Sequence, residues 1–245
     1  MMLTEQLIYP DWDAPPNVRA FQTTRDGGLS LPPYASLNLG DHVGDAPLTV
    51  MRNRMLLNEV VPSEPVWLEQ VHGVVVADAG QAGCRPRADA CVAQRAGAVC
   101  VVMTADCLPV LLCDRNGTVV GAAHAGWRGL LEGVLETTLA AMQVPPGEVL
   151  AWFGAAIGPT AFEVGEEVRT AFVQQDAAAA SAFVAHAPGK YLADLYALAR
   201  LRLHALGVTA ISGGEHCTYR EAERFFSYRR EGVTGRMGAF IWLAK

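Results

Sequence analysis

Between residues 97 and 126 apolar residues run almost without a break, in "GAVCVVMT", "LPVLLCD" and "TVVGAAHAG". Runs of that length, rich in valine and leucine, predict three buried strands. Asn116 and Gly117 between the second and third predict a tight turn, and hence a hairpin. The period then changes. From Trp127 to Val144, Leu131, Val134, Leu135, Thr138, Leu139 and Met142 recur three and four apart, which predicts one helix stopped by Pro145, Pro146 and Gly147.

Beyond it, "LAWFGAAIG" predicts a further strand, "GEEVRTAFVQQ" a helix, "YLADLYALARLRLHALG" a longer helix closing on Gly207, and "FFSYRREGVTGRMGAFIWLA" a hairpin. The first third is punctuated by "DGG" at 26 and "LPPYASLNLGDHVGD" from 31, so it reads as short strands and loops. Within it "NRMLLNEVV" (53–61) predicts a brief helix and "VWLEQVHGVVV" (66–76) a strand interrupted near His72 and Gly73. No repeat, low-complexity linker or domain boundary interrupts the chain. Residues 1–245 are therefore read as one mixed α/β domain.

Composition narrows the class. Of 245 residues, 51% are hydrophobic and 18% charged, which suits a packed globular chain and argues against disorder. A net charge of −6 without a lysine- or arginine-rich face excludes a duplex-binding protein. The N-terminus lacks the basic start and apolar core of a signal peptide, and no apolar run reaches membrane-spanning length. A cytoplasmic protein is expected, with its six cysteines (84, 91, 100, 107, 113 and 217) mostly reduced.

Against that background "TADCLPVLL" places Asp106 and Cys107 where an apolar residue would continue the pattern. Thr104 and Asp106 could form a turn with Cys107 filling a small pocket. Alternatively the segment is a strand end whose side chains face a cleft. His124 favours the second reading, because Cys107 and His124 stand nine and seven residues from the two turn residues, so the hairpin brings them close. His72, flanked by Gly73, is a third candidate.

One thiolate and two imidazoles suit zinc, with a fourth position left for water or substrate. The rival is a cysteine nucleophile with His124 as base, oriented by Asp106 or another acid. "HAGWRG" adds a second feature: small residues before a helix whose first turn carries Arg128 could hold an anion such as phosphate, with Arg54 a weaker candidate. His42 could border the pocket. With it, His186, His204 and His216 nevertheless read as structural or surface residues, as do Asp194, Arg229 and Arg230.

"SLNLGDHVGD", "WLEQVHG", "VMTADCLPVLLCD", "AAHAGWRGLLEGVLE", "AAIGPTAFEVGEEV", "DLYALARLRL" and "RFFSYRREGVTGRMGAFIWL" together resemble the YfiH-like family, also called laccase-domain proteins, peptidoglycan editing factor or multicopper polyphenol oxidoreductases. The resemblance runs nearly end to end. It implies mixed sheets packed on one another with helices outside, and a zinc held by His72, Cys107 and His124, which are also the expected catalytic residues; a monomer is expected. Asn38, Arg54 and Arg128 are the expected substrate contacts. The implied activity is phosphorolysis of adenosine, inosine or methylthioadenosine, with adenosine deamination besides. Alternatives within the family are a copper-dependent polyphenol oxidase and a non-catalytic cell-wall editing factor. One departure is Ala155 in "FGAAIGP", where the family has proline.

Overall fold

The apolar middle third becomes the centre of a six-stranded sheet in the computed structural model, which describes residues 3–81, 83 and 85–245; Cys84 lies outside the described residues. In chain order the elements begin with β1 (Val18–Gln22), α1 (Pro47–Leu56), β2 (Val76–Asp78), β3 (Ala90–Ala93), β4 (Val99–Thr104), β5 (Leu108–Asp114) and β6 (Val120–Ala125). There follow α2 (Trp127–Glu132), α3 (Val134–Met142), β7 (Val149–Phe153), β8 (Glu163–Gly165) and α4 (Glu166–Gln175). The last are β9 (Phe183–Ala187), β10 (Lys190–Ala193), α5 (Leu195–Leu206), β11 (Ala210–Gly213), α6 (Tyr228–Glu231) and β12 (Met237–Leu243).

The large sheet has the order β11-β7-β5-β6-β3-β2, and two three-stranded sheets run β1-β12-β4 and β8-β10-β9. β11 pairs parallel with β7 and β2 with β3, while the other pairs of the large sheet are antiparallel. This is the expected single α/β fold of mixed sheets with helices outside.

Both faces of the large sheet are covered, which is why its strands read as continuous apolar runs. Leu111 and Cys113 of β5 and Val120 and Ala122 of β6 face the β1-β12-β4 sheet, where they meet Cys100, Val102 and Ile241. The alternate residues Val110, Leu112 and Ala123 pack under Leu135 and Leu139 of α3 and Leu198 and Leu203 of α5. Asp194 caps α5 by accepting a hydrogen bond from the Ala197 amide.

Several elements differ from the sequence pattern. The helix expected from Tyr191 starts at Leu195, because Lys190–Ala193 pairs as β10, and the one expected over 53–61 is α1, Pro47–Leu56. The helix expected over 127–144 breaks at Gly133, which takes φ +103°, closes α2 and opens α3. Only glycine occupies that left-handed region freely. The tail forms the short helix α6, capped by the Ser227 hydroxyl, and the central strand β12 rather than a hairpin. Residues 66–75 make isolated bridges at Val66 and Glu69 instead of a strand. Within them the amides of Val71, His72 and Gly73 bond the buried Asp89 carboxylate in place of a neighbouring strand.

Candidate metal centre

The hairpin predicted at Asn116 and Gly117 is present, with Leu108 opposite Ala125 and Pro109 opposite His124. Side chains alternate along a strand, so Cys107 and His124 emerge on the same face as Leu111 and Ala122, at the end of the gap between the six-stranded sheet and the β1-β12-β4 sheet. Thr104 ends β4 on the facing sheet. The crossing between sheets takes place at Ala105 and Asp106, the latter at φ +95°.

Asp106 holds that crossing in place. Its carboxylate accepts hydrogen bonds from Thr218 Oγ1 (2.6 Å) and the Arg229 amide (2.6 Å), and its carbonyl accepts from the Ile157 amide (2.9 Å). It is a brace for the turn and does not orient a histidine. That role belongs to Asp89, which the sequence pattern did not single out.

Asp89 is fully buried. One oxygen accepts from His124 Nδ1 (2.9 Å) and the His72 amide (2.8 Å), the other from the amides of Val71 (3.1 Å) and Gly73 (2.7 Å). Burial alone would push its pKa up, but the His124 hydrogen bond and these amides outweigh burial and hold the carboxyl below its ordinary value. One carboxylate thus shapes the His72 loop, holding His72 at φ +62°, and fixes the His124 ring with Nε2 left for the cleft.

The donor atoms of His72, Cys107 and His124 lie within 4.8 Å of one another, and among the described residues this is the one such group of three. His72 Nε2 is 3.7 Å from Cys107 Sγ, and the two imidazoles meet edge to face at 4.7 Å. Burial raises the Cys107 pKa, but the facing His124 and His72 more than reverse it, bringing the thiol down to about 6. Burial lowers that of His124, but Cys107 and Asp89 carry it up to about 9. A polarised sulfur and two oriented imidazoles fit a borderline-soft divalent ion.

The backbone around the group is built for close approach. A Cβ at Gly126 would stand 2.7 Å from His72 Cδ2 and 3.0 Å from Cys107 Sγ. One at Gly129 would stand 2.9 Å from the Gly73 carbonyl, where α2 meets the His72 loop. The glycines of "HAGWRG" therefore serve packing at the donor group.

The group opens into a cleft of about 350 Å³ whose other lining residues include His42, Gln70, Thr104, Tyr228 and Arg236. None of the three expected substrate contacts lines it. Asn38 is fully buried, accepting from the amides of Gly40 and Arg236. Arg54 donates to the Leu39 carbonyl from Nε and Nη2 and lies 3.9 Å over the Trp67 ring. Arg128 is exposed and lies 4.3 Å over its neighbour Trp127. Of the remaining histidines, His186 faces Glu163, His216 faces Glu221 and His204 is exposed on α5.

An α/β fold with an open His–Cys–His donor set at the joint of two sheets is the class of protein the structure defines. Residues 19–244 match the family described as "Multi-copper polyphenol oxidoreductase laccase", and the chain belongs to it. It is 57% identical over 241 residues to the purine nucleoside phosphorylase YfiH of Escherichia coli, covering 97% of this chain and 99% of that one. A purine nucleoside phosphorylase of Pseudomonas aeruginosa is 56% identical, covering 96% and 98%. Among solved structures, the Neisseria meningitidis protein NMB0706 superposes with a TM-score of 0.95 at 53% identity, covering 98% of this chain and 100% of that one. YlmD from Geobacillus stearothermophilus gives 0.87 at 32%, covering 98% and 100%.

Proposed function

We propose that this chain is a zinc-dependent purine nucleoside phosphorylase that also deaminates adenosine, and that it acts as a cytoplasmic monomer. Adenosine, inosine and methylthioadenosine are its substrates together with phosphate. The observation that carries the reading is the convergence of His72, Cys107 and His124 on the wall of a cleft, in a chain whose relatives bear that enzyme's name.

In phosphorolysis an oxygen of hydrogen phosphate bonds to the ribose C1′ as the C1′–N bond breaks. The electron pair leaves with the purine, which takes up the proton the phosphate carried. Positive charge develops on the sugar and negative charge on the base, so the site must hold an anion on one side and relieve the base on the other. A divalent ion held by the three donors would supply Lewis acidity at the base, and water activation for deamination. The protein's part is orientation: Asp89 holds two of the donors in one arrangement.

The family's description raises copper-dependent phenol oxidation as a second reading. Copper fits the same donors. However, the chain has six histidines with no two separated by a single residue, too few for the several coppers of a multicopper oxidase.

The test is product chromatography with the zinc-loaded protein. Inosine and phosphate should yield hypoxanthine and ribose 1-phosphate, with Cys107→Ala inactive. Absence of base release, or an equally active Cys107→Ala, overturns the reading. Phenol oxidation that follows copper loading would replace it with the oxidase.

A further inference from the structure

The cleft lining contains one arginine and no carboxylate. Arg236 is half-buried, and none of the carboxylates among the described residues forms an ion pair with it. Asp89 and Asp106, the acids behind the cleft, are already occupied by amides, an imidazole and a hydroxyl. A partly desolvated cation on a cleft wall, facing the Cys107 sulfur but with no carboxylate paired to it, is suited to an anionic ligand.

The arginine is also held in place. Its Nη1 donates to the carbonyls of Thr234 and Gly235, both at 3.0 Å, and its amide donates to Asn38 Oδ1 at 2.9 Å. Gly40 makes room for its stem, since a Cβ there would stand 2.8 Å from Arg236 Cγ. Thus Asn38 and Gly40 of "SLNLGDH" act through Arg236, as positioning residues.

A second observation comes from the next strand. Thr104 is 2% exposed and lines the same cleft, yet its Oγ1 is buried without a hydrogen-bond partner. It lies opposite Met237, the residue after Arg236, so the two polar groups come from adjacent positions of a β4–β12 pair. Gln70 clamps the end of β4 by bonding both the amide (2.7 Å) and the carbonyl (2.8 Å) of Met103.

We propose that Arg236 is the phosphate anchor of this cleft, with the Thr104 hydroxyl as an additional donor to the same anion. The inference rests on the phosphorylase reading and gives it a co-substrate site on the cleft wall, which neither Arg54 nor Arg128 lines. Arg236 holds phosphate beside the donor group through the guanidinium nitrogens that those two carbonyls leave free. It takes no part in proton transfer.

The test separates this claim from the reading beneath it. Inorganic phosphate is titrated calorimetrically into the zinc-loaded protein without nucleoside, and phosphate and inosine KM values are measured in parallel. Arg236→Gln should weaken phosphate binding and raise the phosphate KM about 10- to 100-fold, with zinc content and inosine KM near wild type. Arg236→Lys should recover part of the loss. Thr104→Val, which removes an unpartnered hydroxyl and is expected to fold, should raise the phosphate KM several-fold by itself. Wild-type phosphate affinity in Arg236→Gln overturns the assignment, as does binding abolished by zinc removal but untouched by Arg236→Gln or Thr104→Val. Should the wild type release no hypoxanthine, the phosphorylase reading fails, while calorimetry still decides whether Arg236 binds the anion.

Discussion

Gly126 offers the sharpest perturbation of the donor group. Its backbone, at φ −64° and ψ 156°, is open to any residue, so alanine there brings no conformational strain. What alanine adds is a methyl group 2.7 Å from His72 Cδ2 and 3.0 Å from Cys107 Sγ. Ordinary contacts lie near ~3.5 Å or beyond, so the two side chains must retreat by roughly 0.5–0.8 Å. Metal sites tolerate displacements of about 0.5 Å, and overpacking costs about 1–3 kcal/mol. At 1.4 kcal/mol per tenfold, zinc affinity should fall about 5- to 150-fold. His72 is exposed and can swing away when no metal is bound, so the melting temperature in chelator should hardly change. The assay is competition against a chromogenic chelator, with Gly147→Ala as control because a Cβ there meets nothing within 4 Å. Wild-type zinc affinity in Gly126→Ala would refute the reasoning.

Asp89→Asn replaces half of a double acceptor with a donor and should weaken zinc binding about 10- to 100-fold in the same competition assay. Asp114, nearly fully buried at the hairpin turn, accepts from the amides of Asn116, Thr118 and Val119 and from the Thr118 hydroxyl. Burial raises its pKa, but these bonds prevail and hold it below the ordinary value. A lowered folded pKa stabilises the fold above the unfolded value and ceases to do so as pH falls through the folded one. Asp114→Asn should therefore cost about 1–3 kcal/mol at neutral pH in urea denaturation, with the difference closing below pH ~4. Gly133→Ala forces a side chain into the left-handed region and should cost about 1–2 kcal/mol, a drop of ~2–8 °C in Tm.

The strands and hairpin of the middle third were legible because burial on both faces and a two-residue turn leave local marks. Counting from that turn correctly paired the Cys107 and His124 regions. Asp89 was not legible in the same way. In "RADACV" it is one acid before a strand, and its work is done on amides and an imidazole 16 to 35 residues away. Its faint signal was a charged residue at the head of a fully apolar strand, where burial demands partners. The same distant capture accounts for the interruption at His72 and Gly73 in the run from Val66 to Val76.

The arginines were harder to place for a related reason. Arg128 and Arg54 read as anion ligands from their neighbours in the chain, whereas the structure sets one over Trp127 and the other against Trp67 and the Leu39 carbonyl, off the cleft lining. Arg236, hidden in an expected hairpin, reaches the cleft because β12 runs beside β4. The break at Gly133 was visible as a glycine within a helical run, but its positive φ belongs to the packing of α2 and α3.

The central claim is that His72, Cys107 and His124 together hold one metal ion. X-ray absorption at the zinc edge of the loaded protein tests it most directly, when paired with metal analysis of His72→Ala, Cys107→Ala and His124→Ala. The account predicts one zinc per chain, a sulfur and two imidazoles in its shell, and loss of stoichiometric zinc in each variant. A shell without sulfur, or full zinc content after Cys107→Ala, would contradict it.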